Sequence, residues 1–223
     1  MIYSVVHIID KYKEALVGGL LTTLALCFIV WIVGLLLGCV FGIFAHRNKE
    51  EVGKSLDALS FLLSSIPFLV LLFWLYYPLQ ELLHIAISPF ITAAFALSML
   101  NTILVAQIVR TALDEFPNEF VIAGKVCGLS ERRILTQIEF PIILRQVLPQ
   151  ILSAEVQILQ MTVFASLISA QELFRVAQQI NAIIYKPIEI YTTLALFFIA
   201  ICLPLNLLTY RLKEKYTRNL SET

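Results

Sequence analysis

The sequence predicts an all-α membrane protein with five transmembrane helices, and three observations carry that prediction. Hydrophobic residues make up 59% of the 223-residue chain and charged residues 14%, against roughly 45–50% and about 25% in a soluble domain. Uncharged runs long enough to cross a hydrocarbon core, about 20 residues, recur along the chain. Lysine and arginine gather on alternate connections between those runs, the asymmetry that sets orientation in a bilayer.

Taken in order, residues 1–14 read as an N-terminal interfacial segment on the periplasmic side, and Ala15 to Ala45 is the first span, free of charge until His46. It is too long for a signal peptide and has no small-residue cleavage site followed by a soluble domain, so it is expected to be retained. Gly34, Gly38 and Gly42 recur every four residues along it, a smooth stripe on which another helix can pack closely, within the chain or at a subunit interface. The second span runs from Ala58 to Gln80 and the third from Leu82 to Val109. The fourth, Gln146 to Gln171, contains Glu155, which either delays the start of a short helix or places a carboxylate inside the membrane zone. The fifth is Ile190 to Tyr210. Pro67, Pro78, Pro89 and Pro204 mark bent helices or span ends.

Twelve Lys and Arg lie on one set of flanks, around 47–54, 110–145 and 211–218, and four (Lys11, Lys13, Arg175, Lys186) on the other. Because cytoplasmic flanks are enriched in these residues, the N-terminus is predicted outside and the C-terminus in the cytoplasm. One cytoplasmic connection, 111–148, is oversized. It reads as helical pieces punctuated by Pro117, Gly124, Gly128, Pro141 and Pro149, with Ser130 offering a helix start ahead of Glu131, Arg132 and Arg133. Ile134, Leu135, Ile138, Phe140 and Ile142 supply an apolar face at helical spacing. Such a segment is either a connector lying on the membrane surface or a docking helix for a cytoplasmic partner.

Several function classes are excluded by the same reading. Sixteen basic residues cancel sixteen acidic ones, so no overall basic field recruits nucleic acid. Cys27, Cys39, Cys127 and Cys202 form no CxxC pair, and His7, His46 and His84 are widely separated, which disfavours a disulfide scaffold or a metal site. Neither GxxxxGK[ST] nor GxGxxG occurs, and no Ser-His-Asp, Cys-His or paired-carboxylate arrangement points to an enzyme. No cofactor is expected on this chain.

Short motifs in a fixed order then carry a resemblance. Gly19-Leu20-Leu21-Thr22-Thr23-Leu24 looks like GxxxTL, Ala106-Gln107-Ile108-Val109-Arg110 like AEIxR, and Thr162 through Leu173 like TSLxSxIGxxEL. Ile122-Ala123-Gly124-Lys125-Val126-Cys127-Gly128 leads to Ile138-Glu139-Phe140-Pro141, matching the Gly and Pro, though not the Glu, of an EAA signature. Pro187-Ile188-Glu189-Ile190-Tyr191 and Arg211-Leu212-Lys213-Glu214-Lys215 flank the last span as they do in the same proteins. The chain thus resembles the permease subunits of bacterial polar amino acid ABC importers, of the histidine, glutamine and arginine type, over most of its length.

The resemblance implies the type I ABC importer permease fold in the bacterial inner membrane. The transmembrane type-1 domain would cover 15–212, with an EAA-like coupling loop at 111–148 and a cytoplasmic tail at 213–223. It implies two copies of an ABC ATPase that use ATP and magnesium, a second permease, an external solute-binding protein and contact with membrane lipid. Ala123, Gly124, Gly128, Ser130, Arg132, Arg133 and Pro141 become the candidates for ATPase docking. Asn101, Gln107, Glu155, Gln157, Gln160 and Thr162 are the candidates for the substrate pathway. For the polar groups among these, the competing reading is hydrogen bonding between helices, typically about 0.6 kcal/mol each. Gln157 and Gln160 are expected on one helical face with Glu155 nearby.

The departures are specific. Gln107 stands for a Glu, Gln160 for a Lys and Met161 for an Asp, while Ser64-Ser65-Ile66-Pro67 replaces an RGTP-like turn. These changes point to a non-identical second permease that retains the charges, and they keep open a subunit that completes the dimer without binding solute. The alternative from another class is a small carrier or channel that works without an ATPase.

Overall fold

The computed structural model describes residues 2–218, and every regular element among them is helical. The elements are α1 (Ile2–Lys11), α2 (Lys13–Arg47), α3 (Lys54–Ser64), α4 (Phe68–Tyr76), α5 (Pro78–Leu83), α6 (Pro89–Asp114), α7 (Asn118–Val126), α8 (Glu131–Ile134), α9 (Phe140–Met161), α10 (Leu173–Ile184) and α11 (Pro187–Arg218). Helix α11 carries six residues of the 213–223 tail, and residues 219–223 lie outside the described residues.

Four helical runs are long and apolar enough to cross a membrane: Lys13–Arg47, Pro89–Asp114, Glu131–Ile168 and Pro187–Tyr216. A fifth crossing exists only if two bent pieces, Lys49–Ser64 and Phe68–Leu83, count as one span, because the chain turns by 92° between them. This departs from the straight span expected over Ala58 to Gln80. The cause is local: Pro67 disfavours helical geometry at Ile66, and the Ser64 and Ser65 hydroxyls both donate to the Phe61 carbonyl, at 3.0 and 2.7 Å. The third expected span also divides, with α5 ending before His84 and Ser88 capping α6 through the Ile91 N–H at 3.4 Å.

The sequence led to separate pieces in the oversized connection, but the structure joins most of them. Glu131 to Ile168 is one continuous helical run of 38 residues. Pro141 has no N–H to give to the preceding turn, and the wide π-helical turn Leu135–Glu139 just before it absorbs the missing bond. Pro149 lies buried inside α9 without ending it.

The central packing is α2 against α6. Leu16, Gly19, Thr23, Leu26, Val30, Gly34, Gly38 and Gly42 are buried along one side of α2, and Ala93, Leu97, Asn101, Val105, Ala106 and Val109 on α6. A Cβ added at Gly38 would sit 2.6 Å from Val105 Cβ, and one at Gly42 would sit 2.7 Å from the Ala106 carbonyl oxygen. The glycine stripe is therefore an intrachain helix contact. Leu26, Val30, Leu72, Ala96, Leu97, Ile158 and Ile168 form the main core, and Ile8, Leu16, Leu173, Ile180, Ile190 and Leu194 a second one at the N-terminal end of α2.

Two of the resemblance motifs meet in this second core. Gly19 has no side chain to block Leu173, whose Cα would lie 3.0 Å from an added Cβ, and Thr23 Oγ1 accepts from the Leu173 N–H at 3.1 Å. Glu172, fully buried beyond the end of the fourth span, caps α10 by accepting from the Phe174 and Arg175 N–H groups at 2.8 and 2.7 Å. Burial pushes its carboxyl from 4.5 up to about 7, against the opposing pull of those two N–H groups. The folded state thus keeps a proton that the unfolded chain has released, so stability present below pH 4.5 is lost as pH rises to about 7. The thermal midpoint of purified protein is expected to fall across that window, and Glu172→Gln to flatten the slope.

Candidate functional site

On the charged side of the bundle, the link 115–117 leads from α6 into α7. Helix α7 ends in a paired turn: the Gly128 N–H donates to the Lys125 carbonyl at 3.0 Å and the Leu129 N–H to the Gly124 carbonyl at 3.0 Å. This closure needs a left-handed residue after the helix. Gly128 supplies it, with φ of 75°. Gly124 is buried against the next helix, where an added Cβ would lie 3.0 Å from Ile134 Cγ1 and 3.2 Å from Ile138 Cδ1.

The outer face of α7 is uncovered. Val126 is 83% and Ile122 59% exposed, and Ala123, Gly128, Ser130, Arg132 and Arg133 are exposed around them. Ser130 occupies the N-cap position of α8, but its backbone does the work: its carbonyl accepts from the Arg133 and Ile134 N–H groups at 2.9 and 3.0 Å, while its hydroxyl makes no capping bond. Pro141 lies in the first turn of α9.

The pathway candidates divide into two groups. Asn101 and Glu155 are buried at 0% and 4% exposure. Asn101 Nδ2 donates to both Glu155 carboxylate oxygens at 3.0 Å and lies 3.3 Å from the Val30 carbonyl oxygen. The Trp31 indole N–H donates to the Glu155 backbone carbonyl at 3.1 Å. Gly34 makes room for this knot, since a Cβ there would sit 2.8 Å from Asn101 Cβ. Thr162 is also buried, donating to the Leu159 carbonyl at 2.7 Å. Gln107 donates to the Ser60 hydroxyl across α6 and α3. Asn101, Glu155 and Gln107 hold helices together within the chain, while the Thr162 bond stays within its own turn.

Gln157 and Gln160 are exposed instead. Glu155 does not share their face, because two residues turn a helix by about 200° and carry it to the buried side. Their actual companions are Gln146, Gln150 and Ser153, which the 4-3-4-3 spacing of 146, 150, 153, 157 and 160 brings into one polar stripe along α9. That spacing is legible in the sequence, although the charged Glu155 is the more conspicuous residue of the run. Gln146, Gln150, Ser153 and Gln157 border a cavity of about 580 Å³ with Arg145, Thr209 and Lys213. Gln160 faces a neighbouring hollow with Cys202 and Asn206.

A second polar cluster escaped the sequence reading altogether. At the end of α6, Asp114 Oδ1 meets Lys49 Nζ at 2.7 Å and His46 Nδ1 at 2.8 Å, and Asp114 Oδ2 faces Arg110 Nε at 3.5 Å. Arg110 Nη1 donates to the Gly53 carbonyl at 3.0 Å and to Asp57 Oδ1 at 2.8 Å. Apart from Arg110 and Asp114, one helical turn apart, these partners are 53 to 68 residues apart in the chain, beyond what local spacing reveals.

Comparison with known proteins gives a consistent family. The model of the binding-protein-dependent transport system inner membrane component matches residues 34–219. A probable glutamine ABC transporter permease of Bacillus subtilis is 28% identical, covering 93% of this chain and 96% of its own. An arginine ABC transporter permease of Haemophilus influenzae is 26% identical, covering 89% and 91% respectively. Among solved structures, an amino acid ABC transporter with histidines superposes with a TM-score of 0.82 at 20% identity, over 93% of this chain and 96% of that one. An inward-facing methionine ABC transporter gives 0.68 at 20% identity, over 96% and 98%.

Proposed function

The chain belongs to the binding-protein-dependent transport system inner membrane component family, and from that premise we propose that it forms half of the translocation pathway for a polar amino acid. It is a multi-pass inner-membrane permease subunit of an ABC transporter. A separate ATPase pair, using ATP and magnesium, supplies the energy through the 111–148 segment, and an external binding protein delivers the solute. In this reading the N-terminus lies outside and the C-terminus in the cytoplasm, which the twelve-to-four distribution of basic residues supports. The bent pair counts as one span, giving five, with the transmembrane domain at 15–212 between the outer segment 1–14 and the tail 213–223.

The observation that carries the pathway is the stripe of four glutamines and a serine on α9. Polar side chains facing lipid are costly, so a stripe at membrane depth needs water or protein against it. A pathway shared with a second permease provides both. The solute class follows from the glutamine and arginine permeases among the relatives.

Docking rests on the uncovered apolar side of α7 beside Arg132 and Arg133. Ala123 and Gly124 permit close packing, and Gly128 and Ser130 set the angle to the next helix. Closure of the ATPase pair would move this segment and switch the pathway between its two openings.

The stripe carries amides and no charge, and Gln107, Gln160 and Met161 replace the charged groups of similar proteins. Charge-assisted hydrogen bonds are about twice as strong as neutral ones, so the solute's charges are held by a non-identical partner. Purification of the assembled transporter through a tag on this chain is expected to yield one copy of it, one different permease and two ATPase subunits. Two identical copies, with one solute held against Gln157 and Gln160, would overturn the heterodimer. Transport by this chain without any ATPase would overturn the larger reading.

A further inference from the structure

The ionic cluster around Asp114 lies where α6 gives way to the 115–117 link and α7. Arg110 and Asp114 are one turn apart on α6, and between them they reach α2, the 49–53 turn and α3. Lys49 and His46 belong to the end of α2 and the turn after it, the Gly53 carbonyl ends the π-helical turn Lys49–Gly53, and Asp57 is on α3. Gly53 lets the guanidinium lie across that turn, since an added Cβ would be 3.3 Å from Arg110 Cζ. Helix α6 is already locked to α2 by the glycine stripe, so the cluster adds little there. Its distinct product is the tie to α3, which otherwise meets α6 through Leu56 packed with Ala106 and through the Ser60 hydroxyl of the Gln107 pair.

We propose that Arg110 and Asp114 are positioning residues that carry displacement of α7 through the end of α6 to α3, and so to the inner arm of the bent span. Asp114 orients the guanidinium and holds the α2 end, while Arg110 grips the 49–53 turn and Asp57. With only three residues between Asp114 and α7, axial movement of α7 passes directly into that corner. Without the clamp, α7 and α6 still move but α3 stays behind. The inference rests on the reading of α7 as the ATPase dock.

The test uses the complete transporter in proteoliposomes, reading solute transported per ATP hydrolysed together with an environment-sensitive label at the exposed position 54 on α3. Asp114→Asn is expected to retain the ATPase subunits and their hydrolysis within about twofold, while transport per ATP falls by about tenfold and the ATP-dependent signal at position 54 disappears. Asp114→Glu, which keeps the charge, is expected to restore both. Lys49→Gln, at a side chain 60% exposed and free of packing demands, is expected to show the same split in weaker form. Unchanged transport per ATP and an unchanged label signal would overturn the proposal, as would transport and hydrolysis falling in parallel. Val126→Asp isolates the underlying reading: if the ATPase still co-purifies and couples normally, α7 is not the dock, whatever the clamp variants do.

Discussion

Gly34→Leu is expected to abolish the folded chain. Its side chain would have to occupy the space of Asn101, whose Cβ and Cγ already lie 2.8 and 2.6 Å from an added Cβ. No rotamer relieves this, because Asn101 is fixed on its far side by Glu155. Helices α2 and α6 must separate, and separation exposes a carboxylate and an amide that have no other partner. Overpacking alone costs about 1–3 kcal/mol, and opening the buried polar pair raises the total above about 4 kcal/mol. The measurement is the thermal midpoint and yield of detergent-purified protein. Gly18→Ala is the matched control: nothing lies within 4 Å of its added Cβ, so it is expected to be neutral or slightly stabilising through helix propensity.

Gly128→Pro is expected to leave the chain in the membrane at normal levels and to lower transport per ATP by about tenfold or more. Proline holds φ near −65° and has no N–H. The residue here has φ of 75° and donates to Lys125 at 3.0 Å. The turn must therefore open, swinging α7 away from Ile134 and Ile138. Damage stays local because a side chain at 128 meets nothing within 4 Å. Gly128→Ala, which keeps the N–H and bears only the left-handed strain of about 1–2 kcal/mol, is expected to be much milder. Coupling by the proline variant at the native ratio would remove α7 from the energy path.

Four spans were legible because their signal is bulk apolarity over about 20 residues, which no tertiary contact can disguise. What the composition could not show is where a span breaks. Ser64-Ser65-Ile66-Pro67 stood out as an altered turn, yet hydropathy runs unbroken through it, and the 92° bend comes from two serine hydroxyls and one proline. Pro141 and Pro149 erred in the other direction. As residues they read as stops, but a π-helical turn ahead of one and burial of the other kept a single helix. The glycine stripe was legible down to its packing role, while its partner on α6 was not, since α6 shows no matching glycines and uses Val105, Ala106 and Val109.

At the functional sites the limits were of a different kind. A polar residue in an apolar run is visible as such, but its direction depends on which side of the helix is covered. Asn101 and Glu155 turned inward to each other, and Gln157 and Gln160 outward with three companions at a regular spacing. The cluster of His46, Lys49, Asp57, Arg110 and Asp114 spans three chain segments, and although Arg110 ends the AEIxR-like motif nothing in that motif names its partners, so only the fold brings them together.

The 38-residue run from Glu131 to Ile168 has a kinematic consequence. At 1.5 Å per residue it is a rod about 57 Å long, reaching from beside α7 to the turn before α10, and it is pinned to α2 and α6 about two thirds of the way along, at Glu155. A beam pivoted between its ends acts as a see-saw. Tilting it by about 5° shifts the end beside α7 by roughly 3 Å and the far end by roughly 2 Å in the opposite direction, so the two ends move together with no separate signal between them.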